Sequence, residues 1–272
     1  LFCSQTVLEK TVSGNEPEIT VDTSGIADHV QVLADDAFEG REGGHRGGRA
    51  ASSYIEQEIR PLGLIPAGAN KSYFQSFLTR FGTLRNVLVM IPGSDPVLQS
   101  EVIVVGAHYD HVGYENKRNS FGPFGYVHNG ADDNASGVAG LIKIVETLAR
   151  LPDPCRRTIL FAFWDGEEQG LLGSKYFINN RPDCMQGKNI VFSINLDMIG
   201  RLRHSQLNVF GGRSAVGLET LVTHANNRHE NKSLELIFNW KITPDSDHYP
   251  FLKAEVPTLM FHTGLHPDYH RP

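Results

Sequence analysis

The 272-residue sequence predicts an α/β fold: a largely parallel β-sheet with helices packed on both faces, three layers in all. Two observations carry that expectation. From residue 86 onward, short runs rich in Val, Ile and Phe alternate with amphipathic segments of helical period. The apolar runs are continuous rather than alternating, as strands buried on both faces require. No repeat or low-complexity linker interrupts the pattern, so residues 26–272 read as a single domain behind an extension at 1–25.

In chain order, the first 25 residues are polar and aperiodic. Ser24 is expected to cap a helix that carries Ile26, His29, Val30 and Leu33. The glycine-rich stretch 39–48 resembles a phosphate cradle, but no strand precedes it and no Lys-Ser/Thr pair follows, so it reads as a structural loop. A helix with Ala51, Tyr54, Ile55 and Ile59 on one face follows, ending at Pro61. Strands are expected at 86–91, 101–107, 158–164 and 189–196. Helices are expected at 136–149, where Val138, Leu141, Val145 and Leu148 share a face, and at 170–179. A helix at 214–229 and strands at 234–238 and 257–261 complete the pattern. Between the strand ending at Ala107 and the helix beginning near Ala135 the chain has little periodicity, and a long irregular connection of this kind is usually functional.

Composition excludes several classes. At 40% hydrophobic and 21% charged residues, the chain can bury a sizeable core. A net charge of −6 argues against nucleic acid or an anionic membrane as partner. No apolar run reaches the roughly 18 residues of a membrane span. Cys3, Cys155 and Cys184 are too few for a disulfide framework; Cys155 and Cys184 are left as either a pair or two free thiols. The absence of Met at Leu1 reads as a processed terminus.

In open α/β sheets, ligands bind beyond the carboxyl ends of the strands. There the sequence places His108-Tyr109-Asp110-His111, then Asp132-Asp133 ahead of the next helix, then Asp165-Gly166-Glu167-Glu168, then Asp197, and finally His262, His266, Asp268 and His270. Singly, each has a plain explanation as a helix cap or a satisfied histidine. Together they would crowd negative charge into a dry edge, which costs several kcal/mol unless a cation sits among them. Carboxylates and imidazoles without cysteine suit Zn²⁺ in a catalytic site. One catalytic zinc takes three protein ligands, whereas five candidates are present, two His and three carboxylates. Two ions roughly 3.5–4 Å apart, sharing a carboxylate, would use them all. The other glutamate of Glu167-Glu168 is then free to act as a base.

His108-Tyr109-Asp110, Gly130-Ala131-Asp132-Asp133-Asn134-Ala135-Ser136-Gly137, Trp164-Asp165-Gly166-Glu167-Glu168-Gln169-Gly170, Asn195-Leu196-Asp197-Met198-Ile199-Gly200 and Ser246-Asp247-His248 occur in that order, with Leu33 to Arg41 ahead of them. The sequence resembles the co-catalytic zinc exopeptidases of the bacterial secreted leucyl aminopeptidase type, whose relatives include glutamate carboxypeptidase and glutaminyl cyclase. The resemblance implies a three-layer αβα fold with a mixed, mostly parallel sheet, and a closing helix beyond the last residue of this sequence. It implies that His108 and Asp197 bind one zinc, Glu168 and a C-terminal His the other, and that Asp133 bridges them ahead of a cis peptide bond. It makes Asp110 the group that orients His108, and Glu167 the general base. His270 fits best as the C-terminal ligand, although Arg271 departs from the family's habit; His262 and His266 remain alternatives.

The expected function is a di-zinc aminopeptidase that removes N-terminal residues from peptides, with a water shared by the two ions as nucleophile. A carboxypeptidase, a glutaminyl cyclase or a non-catalytic binding domain on the same fold are the rivals. Family habit implies a secreted or periplasmic location. Oligomeric state is open, with a monomer the simplest expectation. The aromatic stretch 121–126 is read either as a wall of the pocket or as a surface excursion.

Overall fold

A computed structural model describes residues 21–114, 119–228, 234–241 and 243–272. Most of the expected N-terminal extension, and the end of the helix expected at 214–229, lie outside the described residues. The elements run α1 (Ile26–Leu33), α2 (Arg46–Ile59), β1 (Ile65–Pro66), β2 (Phe74–Thr79), β3 (Gly82–Ile91), β4 (Glu101–His108), α3 (Gly137–Ala149), β5 (Thr158–Trp164), α4 (Leu172–Asn179), β6 (Asn189–Leu196), β7 (Gln206–Phe210), α5 (Leu218–Asn227), β8 (Glu235–Asn239), α6 (His248–Lys253) and β9 (Thr258–His262).

One sheet holds all the strands, in the order β1-β3-β5-β4-β6-β9-β7-β8, with β2 sharing an edge of β3 with β1. It is mixed. The central run β5-β4-β6-β9 is parallel, β3 joins it antiparallel on one side and β7 joins it antiparallel on the other. The parallel pairs place the ends of β4, β5, β6 and β9 at one edge, where the polar strand-end residues gather.

Alternate residues of each central strand feed opposite layers. Val87, Val89, Ile159, Phe161, Phe163, Val105 and Ala107 pack under α1, α2 and α3 with Leu33, Ile55, Val138 and Leu141. Their neighbours Leu88, Met90, Leu160, Ala162, Trp164 and Val104 pack on the other face with Phe177 of α4 and Phe251 of α6. A strand that buries both faces must be apolar at every position, which is why these runs carry no polar alternation.

Several local expectations are corrected. Gly25, in the left-handed region at φ 79°, precedes α1 without a side-chain cap, and Asp22 rather than Ser24 supplies the local hydrogen bond, accepting from the Ser24 amide at 2.9 Å. Helix α2 begins at Arg46, inside the glycine-rich stretch, and Gly47 in its first turn passes close to Phe38: a Cβ at Gly47 would lie 1.9 Å from the Phe38 carbonyl oxygen. Helix α5 starts at Leu218, since residues 211–217 form turns. Strands β1, β2 and β7 and the short α6 are additional elements. Cys155 and Cys184 are both free.

Candidate metal centre

The edge formed by the ends of β4, β5 and β6 and the start of α3 brings His108, His111, Asp133, Glu167, Glu168 and Asp197 together, and the C-terminal segment adds His270. All but Glu167 and Glu168 are buried, and those two are partly so. Among the described residues, two groups of donor atoms are close enough to hold a metal ion: His108, Asp133 and Asp197, and His111, Asp133, Glu168 and His270. Within the first, His108 Nε2 is 3.4 Å from Asp133 Oδ1 and 3.4 Å from Asp197 Oδ1. Within the second, His270 Nε2 is 3.1 Å from Asp133 Oδ2 and 3.2 Å from Glu168 Oε1. The two groups therefore share one residue, Asp133, and divide its two oxygens between them. The bond from Asp133 to Asn134 is cis.

Backbone groups aim the imidazoles. His108 Nδ1 is 3.1 Å from the Asp110 carbonyl, and His270 Nδ1 is 2.5 Å from the Asn119 carbonyl. With those nitrogens donating, each Nε2 is left as a free lone pair facing the carboxylates. Asp110 reaches both His108 and the two glutamates. Its carboxylate stands 3.8 Å from His108 Nδ1 and instead accepts from the amides of Glu167 at 3.0 Å and Glu168 at 3.2 Å. It fixes the main chain that carries the two glutamates, while its carbonyl orients the histidine.

Three residues with no role assigned from sequence help to build the centre. Arg41 is fully buried, and its guanidinium donates to the carbonyls of Leu33, Tyr109, Asn129 and Gly130 at 2.6–2.8 Å. It ties the turn after β4 to the turn before α3. Burial pulls its pKa down to about 10, opposed by Asp133, Asp110 and Glu168, so it stays cationic. Asn119 Nδ2 donates to Glu168 Oε2 at 2.9 Å while its carbonyl holds His270. His111 places Nδ1 3.0 Å from Glu168 Oε1. Its spacing three residues after His108, at a strand end, was the only signal available.

The other C-terminal histidines face elsewhere. His266 Nε2 lies 3.2 Å from Asp132 Oδ2, and its Nδ1 is 2.9 Å from Arg201 Nη1. His262 Nδ1 accepts from the Gly264 amide at 2.6 Å, and its ring borders a cleft. Of the three, His270 alone joins a donor group.

Without metal, the charges in the cluster lean on one another. Burial opposes the His270 cation, yet hydrogen bonds to Asp133 and Glu168 hold it up at about 10. Burial likewise opposes His108, but Glu167 and Asp197 raise it well above its ordinary value. Burial would raise Glu168 and Asp197; His111 and His270 hold the first down, and His108 the second. Among the described residues Glu167 has no such partner at hydrogen-bond distance, and burial pushes it well up, with His108 opposing. The set has the chemistry of a divalent-cation site: hard oxygen and imidazole donors, more carboxylates than local cations, and aimed lone pairs.

A cleft of about 430 Å³ opens over His108, Asp133, Glu167, Glu168 and Asp197, walled by Met198, Phe210, Met260, Leu265 and Tyr269, with Asp245 also lining it. Residues 121–126 do not line it. Phe121 instead backs His270, at 5.8 Å between ring centroids, and its amide donates to the His270 carbonyl at 3.0 Å. On the far side of Asp133, a cavity of about 780 Å³ lies between α1, α3 and the C-terminal segment; it contains neither Glu167 nor Asp197.

The chain is similar to leucine aminopeptidase 1 of Trichophyton rubrum, at 30% identity over 162 residues, covering 57% of this chain and 40% of that protein. It spans less than half the length of the curated relatives it matches. Its fold is similar to that of a zinc aminopeptidase from Bacillus subtilis, with a TM-score of 0.69, 15% identity and coverage of 94% and 90% of the two chains. It is also similar to that of Porphyromonas gingivalis glutaminyl cyclase, with a TM-score of 0.73, 20% identity and coverage of 92% and 89%. The sequence profile of peptidase family M28 matches residues 86–272, well over half of the chain and the whole stretch that supplies the donor residues. The chain belongs to peptidase family M28.

Proposed function

We propose that this protein is a two-zinc aminopeptidase that releases apolar residues from the N-termini of peptides. The observation that carries the reading is the division of Asp133 between two donor groups at the floor of a cleft that also holds Glu167. His108 and Asp197 would hold one ion, Glu168 and His270 the other, with Asp133 between them. When bound, two such ions lower the pKa of a water toward about 7 and polarise the scissile carbonyl. Glu167 then takes the water's proton and hands it to the leaving amine. A base so placed contributes roughly 10²- to 10⁴-fold.

The walls of the cleft favour an aminopeptidase over a carboxypeptidase. Among the described residues no Lys or Arg lines it, so nothing there pairs with a terminal carboxylate. Asp245 and the glutamates suit a free ammonium, and Met198, Phe210, Met260 and Leu265 suit an apolar side chain. The relative named leucine aminopeptidase and the neighbour described as a zinc aminopeptidase support the same choice. Export to a periplasmic or extracellular compartment belongs to this reading and is tested by cell fractionation. Leucyl p-nitroanilide, its N-acetylated form, an N-blocked peptide with a free C-terminus and an N-terminal glutaminyl peptide are to be assayed with and without chelator. Chelator-sensitive hydrolysis confined to the substrates with a free N-terminal amine is expected; cyclisation of the glutaminyl peptide, or turnover of the acetylated or N-blocked substrate, would replace the proposal.

A further inference from the structure

We propose that His111 is a direct metal ligand, so that one position of the pair has four protein donors and the other three. This rests on the two-metal reading above. Two imidazole nitrogens converge on a single carboxylate oxygen: His111 Nδ1 at 3.0 Å and His270 Nε2 at 3.2 Å from Glu168 Oε1. The same two nitrogens lie 3.8 Å and 3.1 Å from Asp133 Oδ2. Four donors at zinc bond lengths of about 2.0–2.2 Å stand roughly 3.3–3.6 Å from one another at the corners of a tetrahedron. The observed separations scatter around that edge. A histidine present only to hydrogen-bond Glu168 needs the first contact and not the approach to Asp133.

The surroundings are built to admit the ring. His111 is buried, and its amide donates to the Arg41 carbonyl at 3.3 Å. Gly130, in the left-handed region at φ 59°, lies against it: a Cβ there would be 2.5 Å from His111 Cδ2. The segment that delivers Asp133 thus leaves space for this imidazole.

The two positions differ in consequence. The position with His111, Asp133, Glu168 and His270 has four protein donors, one more than the usual three of a catalytic zinc, and so holds its ion more tightly. The position with His108, Asp133 and Asp197 keeps room for water or substrate. The four-donor position fills first, and the three-donor position is the exchangeable one.

The test is competition of zinc against a chromophoric chelator, starting from metal-free protein. Wild type is expected to show two sites of unequal affinity. H111A should weaken the tighter one at least 100-fold and leave the other within threefold. H111N can hydrogen-bond Glu168 and should not restore affinity. Cobalt-loaded H111C should gain a thiolate-to-cobalt charge-transfer band that wild type, with its own cysteines, lacks. Zinc-edge X-ray absorption on the wild type should count three imidazoles per two ions rather than two, which decides the matter even where a variant does not fold. Two imidazoles, an unchanged H111A, rescue by H111N or the missing band each overturns the assignment. Wild type that binds no zinc overturns the two-metal reading along with it.

Discussion

Asp133 Oδ2 and His270 Nε2 stand 3.1 Å apart although 137 positions separate the two residues in sequence. In the metal-free protein such a contact needs a proton on the imidazole, and the surrounding carboxylates hold His270 at about 10 and His108 well above its ordinary value.

Both imidazoles must be neutral to bind metal, so zinc binding near pH 7 is expected to release about two protons. The folded metal-free state binds these protons more strongly than free histidine does, and raising the pH therefore strengthens zinc binding, by up to about 10-fold per unit for each ion. Calorimetry in buffers of different ionisation enthalpy gives the proton count, and a pH-independent affinity would contradict it.

Glu167→Gln should keep zinc content unchanged and lower kcat about 10²- to 10⁴-fold. Metal analysis beside steady-state kinetics checks this. Loss of metal in the variant would make Glu167 a ligand rather than a base.

Asp110→Ala removes the acceptor of two amides, those of Glu167 and Glu168. Leaving buried donors unpaired costs about 1–3 kcal/mol each. The variant should melt lower and lose kcat, and Asp110→Asn, which keeps one acceptor oxygen, should fall between it and wild type.

Arg41→Met strands four carbonyls that now share one guanidinium. A loss of about 3–5 kcal/mol is expected from the urea midpoint, with partial recovery in Arg41→Lys. An unchanged midpoint would mean that the turns before and after the long connection hold themselves.

Asp165 is pushed up to about 6 by burial, against an unfolded value near 3.9. Its folded pKa is raised, so the stability tied to its proton is full below about pH 4 and is lost as pH rises through 6. In metal-free protein, wild type should lose stability relative to Asp165→Asn over that window and no further above it. A constant difference across the window would show that Asp165 is ionised throughout.

The parallel core was legible because β4, β5 and β6 bury both faces and so spell continuous apolar runs. β2 was not, since its exposed Ser76 and Leu78 alternate with buried Gln75 and Phe77, and its partner β3 decides its register. Helix α6 has six residues, too few to show a period. At the site, His108, Asp133, Glu168 and Asp197 sit at strand ends or a helix start, where topology alone predicts convergence. His270 has no such element beneath it; it is held by the Asn119 carbonyl and the Phe121 amide from the long connection. The role of Arg41 was hidden for a different reason: its partners are main-chain oxygens, which leave no mark on composition or spacing.

The most direct test is a zinc titration of chelated, metal-free protein, with bound metal and leucyl p-nitroanilide hydrolysis read in the same samples. Two equivalents bound per chain, with full turnover only once the second has entered, is the predicted result. Saturation at one equivalent, or turnover before any metal is added, would contradict the shared role of Asp133 and with it the proposed mechanism.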